Sequence, residues 1–352
     1  MAIKTELFGK FECGCEVTAY TLSNSAGMSA KIIDMGGTLV ELNVPDYSGK
    51  TKDVICGFDS LESYMAASGY QGALIGRIGN RIGKGKFTLD GVNYQLFTND
   101  GANHLHGGKS GFDKKIWDAK TCENKGNSHL ELKYTSPDGE ENYPGTLDVT
   151  VLYTLTADNK LSINYKATTD KTTIVNMTNH AYFNLNGYEN GNVTSHDLWI
   201  DSGFVTMTDD DLIPIGKNLD VTGTPFDFRV QKSIGLGIDA DDKMIKQGGG
   251  YDHNFFLSPD GTVKLSAKLY SSESKIAMKM YTDQPCVQIY TANMINVGDV
   301  PFKNGVAQTK RCGVCLETQA MPDSINCPGF TDVTLKPGNT YDYTTVFEFG
   351  IE

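Results

Sequence analysis

The chain has 352 residues and a formal net charge of −12, and 39% of its residues are hydrophobic and 21% charged. This acidic balance opposes attraction to nucleic acid or anionic lipid, and no apolar run is long enough to span a membrane. We therefore expect a globular protein with a large core that binds neither nucleic acid nor a membrane.

The N-terminal segment, residues 1–17, lacks the unbroken apolar stretch of a secretory signal, which favours the cytosol. The eight cysteines are then expected to be reduced thiols. Two close pairs, Cys13 with Cys15 and Cys312 with Cys315, invite a zinc interpretation. The Cys-x-Cys spacing is narrow for zinc and no histidine pair stands nearby, so we predict no metal site.

The first predicted element in chain order is a short helix in DSLESYMAA, residues 59–67. Asp59 could cap it, with Glu62 three residues later completing a capping box. Helical periodicity is scarce in the rest of the chain.

A β-hairpin is predicted over KFTLDGVNYQL, residues 86–96. Apolar residues alternate on both sides of Asp90 and Gly91, and this dipeptide favours the positive φ angles of a two-residue turn.

Further period-two runs follow at residues 147–155, 161–167, 263–269 and 341–349, separated by turn-forming clusters. Strand follows strand without βαβ alternation, which predicts an all-β fold of stacked antiparallel sheets with few short helices. No linker, composition shift or fixed-period repeat divides the chain, so we expect residues 1–352 to form one domain.

A glycine-rich loop, GRIGNRIGKGKF, covers residues 76–87. The spacing of its glycines and Lys84 does not match a P-loop, and no strand-to-helix unit suggests dinucleotide binding. The loop offers Arg77, Asn80 and Arg81, either as plain surface residues or as part of a binding site.

NHLHGG, residues 103–108, contains two histidines in His-x-His spacing. His104 and His106 could be metal ligands, but no third ligand is identifiable. The alternative is that the two following glycines let the backbone approach a ligand while one imidazole forms a hydrogen bond.

Polar residues occupy mid-strand positions in several predicted strands. In TNHAYFNLNG, residues 178–187, His180 alternates with apolar residues, although a solvated surface histidine would give the same pattern. Asp252, Gln288 and Glu317 stand in the same way in their own segments. Planar donors and acceptors beside aromatic rings suit a polyhydroxylated ligand, which indicates a sugar.

These segments resemble those of the aldose 1-epimerases, also called galactose mutarotases. The matching segments, in the family's order, are GRIGNRI, NHLHGG, SPDGEENYPG, TNHAYFNL, GYDHNF and CLETQAMPDSIN. The resemblance runs from about residue 30 to the C-terminus. Gly79 stands where alanine is expected and Ala181 where serine or threonine is frequent, and neither is a position that does chemistry.

The resemblance implies a large β-sandwich, the galactose mutarotase-like supersandwich, with an open carbohydrate cleft. It implies interconversion of the α and β anomers of hexoses such as galactose and glucose, without a cofactor. Glu317 would be the catalytic base and His180 the acid. The sugar-binding positions that it implies are Asn80, Arg81, His106, Tyr182, Asp252 and Gln288.

Three other interpretations stay open at this point. A glycosidase could use Glu317 and Asp252 as its two carboxylates. A sugar sensor or lectin could bind without turnover. A mutarotase acting on phosphorylated sugars would need more than one cation in the cleft, and Arg77 and Arg81 do not decide this. The oligomeric state is open between a monomer and a weak dimer.

Overall fold

The computed structural model describes residues 3–295 and 300–352. Within them, two α-helices of six residues each occur at Leu61–Ala66 (α1) and Lys243–Gly248 (α2). Both are far shorter than the ~20 residues that a membrane-crossing helix needs. Single 3-10 turns lie at Gly83–Gly85, Phe112–Lys114, Glu140–Asn142, Ile234–Leu236, Lys303–Gly305 and Ser324–Asn326.

The strands of the described residues, in chain order, begin with β1 Lys4–Lys10, β2 Glu16–Ser23, β3 Ser29–Ile33, β4 Thr38–Pro45, β5 Thr51–Asp53, β6 Leu74–Ile75, β7 Arg81–Ile82, β8 Lys86–Leu89, β9 Val92–Gln95 and β10 His104–Leu105. The next are β11 Asp118–Asn124, β12 Asn127–Ser136, β13 Leu147–Leu155, β14 Lys160–Thr169, β15 Thr173–Ile174, β16 Thr178–Asn179, β17 Tyr182–Phe183, β18 Asp197–Ile200 and β19 Phe204–Thr208. The last are β20 Pro214–Asp220, β21 Lys232–Ser233, β22 Asp252–Phe256, β23 Lys264–Tyr270, β24 Ile276–Thr282, β25 Cys286–Tyr290, β26 Val314–Gln319, β27 Thr334–Leu335 and β28 Tyr341–Ile351.

Three larger sheets carry the architecture, and each is antiparallel throughout. The N-terminal sheet has the order β1-β2-β3-β4-β5, and the large sheet has the order β11-β12-β13-β14-β28-β24-β23-β18-β21. The sheet that we call the cleft sheet has the order β17-β26-β25-β22-β19-β20. Short two-strand pairs join β6 with β16, β7 with β10, β8 with β9, and β15 with β27.

The core lies between these sheets. In β13 the buried residues alternate with half-exposed ones, as the period-two pattern predicts. One hydrophobic cluster contains Leu42 of the N-terminal sheet, Val151 of the large sheet and Leu316 of the cleft sheet. Each fully buried aliphatic side chain of this kind contributes ~1.5–3 kcal/mol to folding. The expected all-β, stacked-sheet fold is therefore confirmed.

The predicted hairpin is confirmed in its register and turn. Leu89 pairs with Val92, and the intervening Asp90 and Gly91 have φ angles of 49° and 77°. Two positive φ angles match the twist of the flanking strands, and glycine adopts them without strain.

The predicted helix near Asp59 is present, but the predicted cap is wrong. Helix α1 begins at Leu61, and the side chain of Ser60 caps it by accepting a hydrogen bond from the backbone N–H of Ser63. The carboxylate of Asp59 instead accepts from the backbone N–H of Asn304. Ser60 takes the position because the buried Leu61 fixes where the helix starts.

The predicted strand around His180 is also different from the expectation. It is divided into β15, β16 and β17, which pair with β27, β6 and β26 respectively. Both the apolar and the polar residues of this segment are buried, and His180 has only 4% of its surface exposed. Because three different partners cover the segment, its side chains have little contact with bulk water.

Candidate active site

An open cleft with a cavity volume of about 190 Å³ lies over one end of the cleft sheet. The cleft is lined by His180 and Glu317. It is also lined by every binding position that the resemblance implies, namely Asn80, Arg81, His106, Tyr182, Asp252 and Gln288.

Strand register brings the polar side chains of the cleft sheet together. Glu317 of β26 is directly opposite Gln288 of β25, which is also opposite Asn254 of β22. Two residues after Gln288 on β25, Tyr290 is opposite Cys315 of β26 and Asp252 of β22. Because alternate residues share a face, residues distant in sequence form one polar surface.

Glu317 is 98% buried, with an exposed fraction of 2%. Burial is the main cause that raises the pKa of its carboxyl well above the ordinary value, and the neighbouring Asp252 raises it further. Among residues 3–295 and 300–352, its Oε2 atom has no hydrogen-bond partner. An unpartnered buried oxygen facing a cleft fits a hydroxyl donor from a bound ligand.

His180 is held at the junction of β16 and β17. Its backbone N–H donates to Ala73, and its carbonyl oxygen accepts from Gly72, both at 2.9 Å. The ring stacks on Tyr182, with centroids 5.0 Å apart and planes inclined by 27°. Burial lowers the pKa of the imidazole to about 4, which favours the neutral ring.

The two groups are adjacent in space although far apart in sequence. His180 Nε2 lies 3.7 Å from Glu317 Oε1. A carboxyl with a raised pKa beside an imidazole with a lowered pKa is an arrangement that can both accept and donate a proton.

Asn80 and His106 fix each other at the rim of the cleft. The backbone N–H of Asn80 donates to His106 Nδ1 at 3.2 Å, and the backbone N–H of His106 donates to the carbonyl of Asn80 at 3.1 Å. Because Nδ1 accepts, the proton of the neutral ring is on Nε2, and burial keeps the pKa of His106 well below its usual range. Neutral His106 therefore offers a hydrogen-bond donor at Nε2.

The same arrangement bears on metal binding. Ligand atoms of His106, His180 and Glu317 all lie within 4.8 Å of one another. A cation at Nε2 of His106 would require the proton to move to Nδ1, where the Asn80 N–H already points. This cluster is thus better suited to hydrogen-bonding a ligand than to coordinating a metal.

Two charged side chains in the cleft are oriented by neighbours. Arg81 Nε donates to Asp100 Oδ2 at 2.7 Å, which fixes the guanidinium at the end of β7. Gln288 Nε2 donates to Asp252 Oδ1 at 2.6 Å. Burial raises the pKa of Asp252, while Arg81 and Gln288 oppose this shift. Fixed side chains of this kind lose little entropy when a ligand binds.

Sequence reasoning missed Tyr70, which also lines the cleft. Its ring centroid lies 4.7 Å from that of His106 and 6.0 Å from that of His180. Tyr70 has a φ of 56° and lies in a loop, so no strand periodicity marks it. The only sequence signal for a loop here is a weak one, namely that Gly69 precedes Tyr70 and Gly72 follows it two residues later.

Two residues that the sequence offered as candidates lie elsewhere. Arg77 is buried and donates to Ser136 and to the carbonyls of Pro137 and Pro144, so it does not supply a second cation to the cleft. His104 Nδ1 contacts the carbonyl of Phe97, so of the two histidines in NHLHGG it is His106 that faces the cleft.

The chain matches one protein family over most of its length. A family model described as Aldose 1-epimerase matches residues 18–348. The chain is 40% identical to bovine galactose mutarotase over 351 residues, covering 100% of this chain and 99% of the relative. It is 38% identical to the aldose 1-epimerase of Escherichia coli K12 over 332 residues, covering 94% of each chain.

Solved structures show the same fold. The galactose 1-epimerase of Lactobacillus acidophilus superposes with a TM-score of 0.87 at 29% identity, covering 99% of both chains. An aldose epimerase homologue from Caenorhabditis elegans superposes with a TM-score of 0.85 at 27% identity, covering 94% of this chain and 98% of that one. On the family match and this full-length similarity, the chain belongs to the aldose 1-epimerase family and is an isomerase of carbohydrates.

Proposed function

We propose that this aldose 1-epimerase interconverts the α and β anomers of a hexose with Glu317 as the base and His180 as the acid. The observation that carries the assignment is the 3.7 Å separation of His180 Nε2 and Glu317 Oε1 inside the cleft. In a pyranose, O1 and the ring oxygen are bonded to the same carbon, so two groups this close can reach both atoms. The names of the bovine and human relatives, galactose mutarotases, support galactose as a substrate.

The reaction moves two protons and needs no other reactant. The Glu317 carboxylate removes the proton of the O1 hydroxyl while the bond between C1 and the ring oxygen breaks, and the ring oxygen takes a proton from protonated His180. Rotation about C1–C2 presents the other face of the aldehyde. His180 then removes the proton from the O5 hydroxyl as it attacks C1, and Glu317 returns a proton to O1.

The proton distribution in the cleft supports this cycle. The raised pKa of Glu317 and the lowered pKa of His180 favour a carboxylic acid beside a neutral imidazole. That arrangement is the one present when the sugar is open, so burial lowers the cost of the open-chain state relative to the cyclic one. Bound cyclic sugar stabilises the other arrangement because its O1 hydroxyl can donate to the unpartnered Oε2 of Glu317.

The remaining cleft residues are proposed to bind the sugar hydroxyls. Arg81 and Asp252 would form charge-assisted hydrogen bonds, which are stronger than neutral ones. His106 would donate through Nε2, and Asn80 and Gln288 would contribute amide groups. Tyr182 would support the His180 ring, because its hydroxyl already donates to the carbonyl of Gly69 at 2.8 Å.

We further propose that residues 1–352 form one domain that acts in the cytosol as a monomer or weak dimer. The shared hydrophobic cluster of the three large sheets supports one domain. The free state of all eight cysteines fits a reducing compartment. The net charge of −12 opposes binding to nucleic acid or to anionic membranes.

The test is to separate turnover from binding with Glu317→Gln and His180→Asn. Both variants are expected to bind equilibrated galactose in calorimetry but to lose at least ~10²-fold in kcat, measured by polarimetry on fresh α-D-galactose. Matched controls are Glu131→Gln and His129→Asn on β12, which lies outside the cleft. If Glu317→Gln turns over galactose at the rate of the unmodified protein, the assignment is refuted. If the unmodified protein leaves the rate of anomer equilibration unchanged, it binds sugar without acting as an enzyme.

A further inference from the structure

The turn between β1 and β2 carries two thiols that touch each other. Cys13 Sγ lies 2.9 Å from Cys15 Sγ, and both residues are exposed. The other exposed cysteine, Cys122, contacts the carbonyl oxygen of its neighbour Glu123 at 3.8 Å. Within the described residues, Cys13 and Cys15 are therefore the solvent-accessible pair of thiols in mutual contact.

The backbone of the turn holds the thiols together. The N–H of Phe11 donates to the carbonyl of Cys15, and the N–H of Gly14 donates to the carbonyl of Phe11, both at 2.9 Å. Gly14 has a φ of 86°, and no atom lies within 4 Å of where its Cβ would be. The positive φ tightens the turn, and the open space around Gly14 lets the peptide adjust as the two sulfurs approach.

We propose that Cys13-Gly14-Cys15 is a surface dithiol that closes reversibly to an intramolecular disulfide by exchange with a small disulfide such as glutathione disulfide. This inference is independent of the function proposed above, because neither cysteine lines the cleft. It adds a covalent modification site to the fold.

The exchange proceeds in two balanced steps. The Cys13 thiolate attacks one sulfur of glutathione disulfide, forming a mixed disulfide and releasing one glutathione thiolate. The Cys15 thiolate then attacks the Cys13 sulfur, forming the Cys13–Cys15 bond and releasing the second glutathione. Two protein thiols are oxidised and one disulfide is reduced to two thiols.

The order of attack follows from the contact between the thiols. The hydrogen bond from Cys15 stabilises the thiolate of Cys13 and lowers its pKa, whereas the pKa of Cys15 is raised. Cys13 is thus the first nucleophile and Cys15 the resolving thiol.

The size of the ring makes the bond reversible rather than structural. A loop of three residues restricts the unfolded chain little, so its closure adds little stability. Exposed or strained disulfides have more oxidising potentials than buried structural ones and are reduced readily by thiols. Cys56, Cys312 and Cys315 are buried, so the same reagents do not reach them in the folded protein.

The experiment uses the folded Cys122→Ser protein, so that Cys122 does not contribute a glutathione adduct. The protein is equilibrated in buffers of fixed glutathione to glutathione disulfide ratio, alkylated, and measured by intact mass and peptide mapping. We expect both Cys13 and Cys15 to lose alkylation together in oxidising buffer, without a retained glutathione, and to regain it on transfer to excess glutathione.

Cys15→Ser in the same background is the matched control. It is expected to keep one glutathione on Cys13, because the resolving thiol is missing. The proposal is overturned if the parent protein retains glutathione on Cys13 or Cys15, or if both thiols stay fully alkylated in oxidising buffer.

Discussion

The Sγ atom of Cys315 lies 3.5 Å from Nδ1 of His180, and both side chains are buried. Cys315 precedes Glu317 by two residues on β26, so one face of one strand supplies both the proposed base and the group behind the proposed acid. When His180 gives up its proton at Nε2, the proton on Nδ1 stays in place, so the Cys315 sulfur can accept from Nδ1 in both protonation states.

We therefore predict that Cys315→Ala lowers kcat while changing KM little. A hydrogen bond contributes ~0.5–1.5 kcal/mol, which corresponds to a fall of roughly tenfold or less. Cys315→Ser keeps a donor and acceptor at the same place and is expected to recover most of the rate in polarimetric progress curves. Equal rates in the alanine and serine variants would mean that Cys315 only packs against the ring.

The dependence of kcat/KM on pH should follow the shared proton of Glu317 and His180. The active free enzyme carries one proton on the pair, held mainly by Glu317. Below a pH of about 4, the pKa to which burial lowers His180, a second proton binds and no base remains, so activity falls. Above the raised pKa of Glu317, the pair of Glu317 and His180 has lost its shared proton. No acid then remains, so activity falls again.

The expected profile is a plateau between these limits, whose edges belong to the coupled pair rather than to either residue alone. It is measured from initial rates over the pH range in which circular dichroism shows an intact fold. An acid edge near pH ~6.5, the ordinary pKa of histidine, would contradict the lowered pKa of His180.

Asp252→Asn should move the alkaline edge of this profile. The charge of Asp252 raises the pKa of Glu317, so its removal lets Glu317 ionise at lower pH and shifts the alkaline edge downward. KM should also rise, because the variant loses a charged partner for the sugar. Asp241→Asn, an exposed carboxylate paired with Lys246, is the matched control and should leave both quantities unchanged. An unmoved edge in Asp252→Asn would argue against coupling of the two carboxyls.

Local signals in the sequence predicted the regular strands well. The alternation in β13 and the Asp90-Gly91 turn reflect forces between near neighbours, so the predicted strand and hairpin agree with the structure. The cap of α1 was predicted one residue early because Asp59 and Ser60 are both good caps, and only tertiary packing of Leu61 decides between them.

The sequence predicts residues that line the cleft but not the burial around them. A period-two pattern cannot distinguish a polar face that meets bulk water from one that lines a cleft, so it does not predict that His180 is buried. The contacts of Cys315 and Tyr70 with His180 join loops and strands far apart in sequence. Such contacts depend on strand register across the cleft sheet, which the sequence does not display.

Arg77 gives a prediction about stability rather than turnover. Only 2% of its surface is exposed, and its guanidinium donates to Thr173 Oγ1, to the hydroxyl and carbonyl of Ser136, and to the carbonyls of Pro137 and Pro144. The planar fork of arginine matches these fixed acceptors, and methionine or lysine cannot replace it.

We expect Arg77→Met to lower the free energy of unfolding by at least ~1–3 kcal/mol, the cost of leaving a buried acceptor without a donor. Urea denaturation followed by tryptophan fluorescence measures this. Arg229→Met, which removes an exposed guanidinium paired with Asp227, should change it by less than ~1 kcal/mol. The folded fraction of Arg77→Met should keep the wild-type KM, because Arg77 does not line the cleft. A raised KM with unchanged stability would instead make Arg77 a ligand-binding residue.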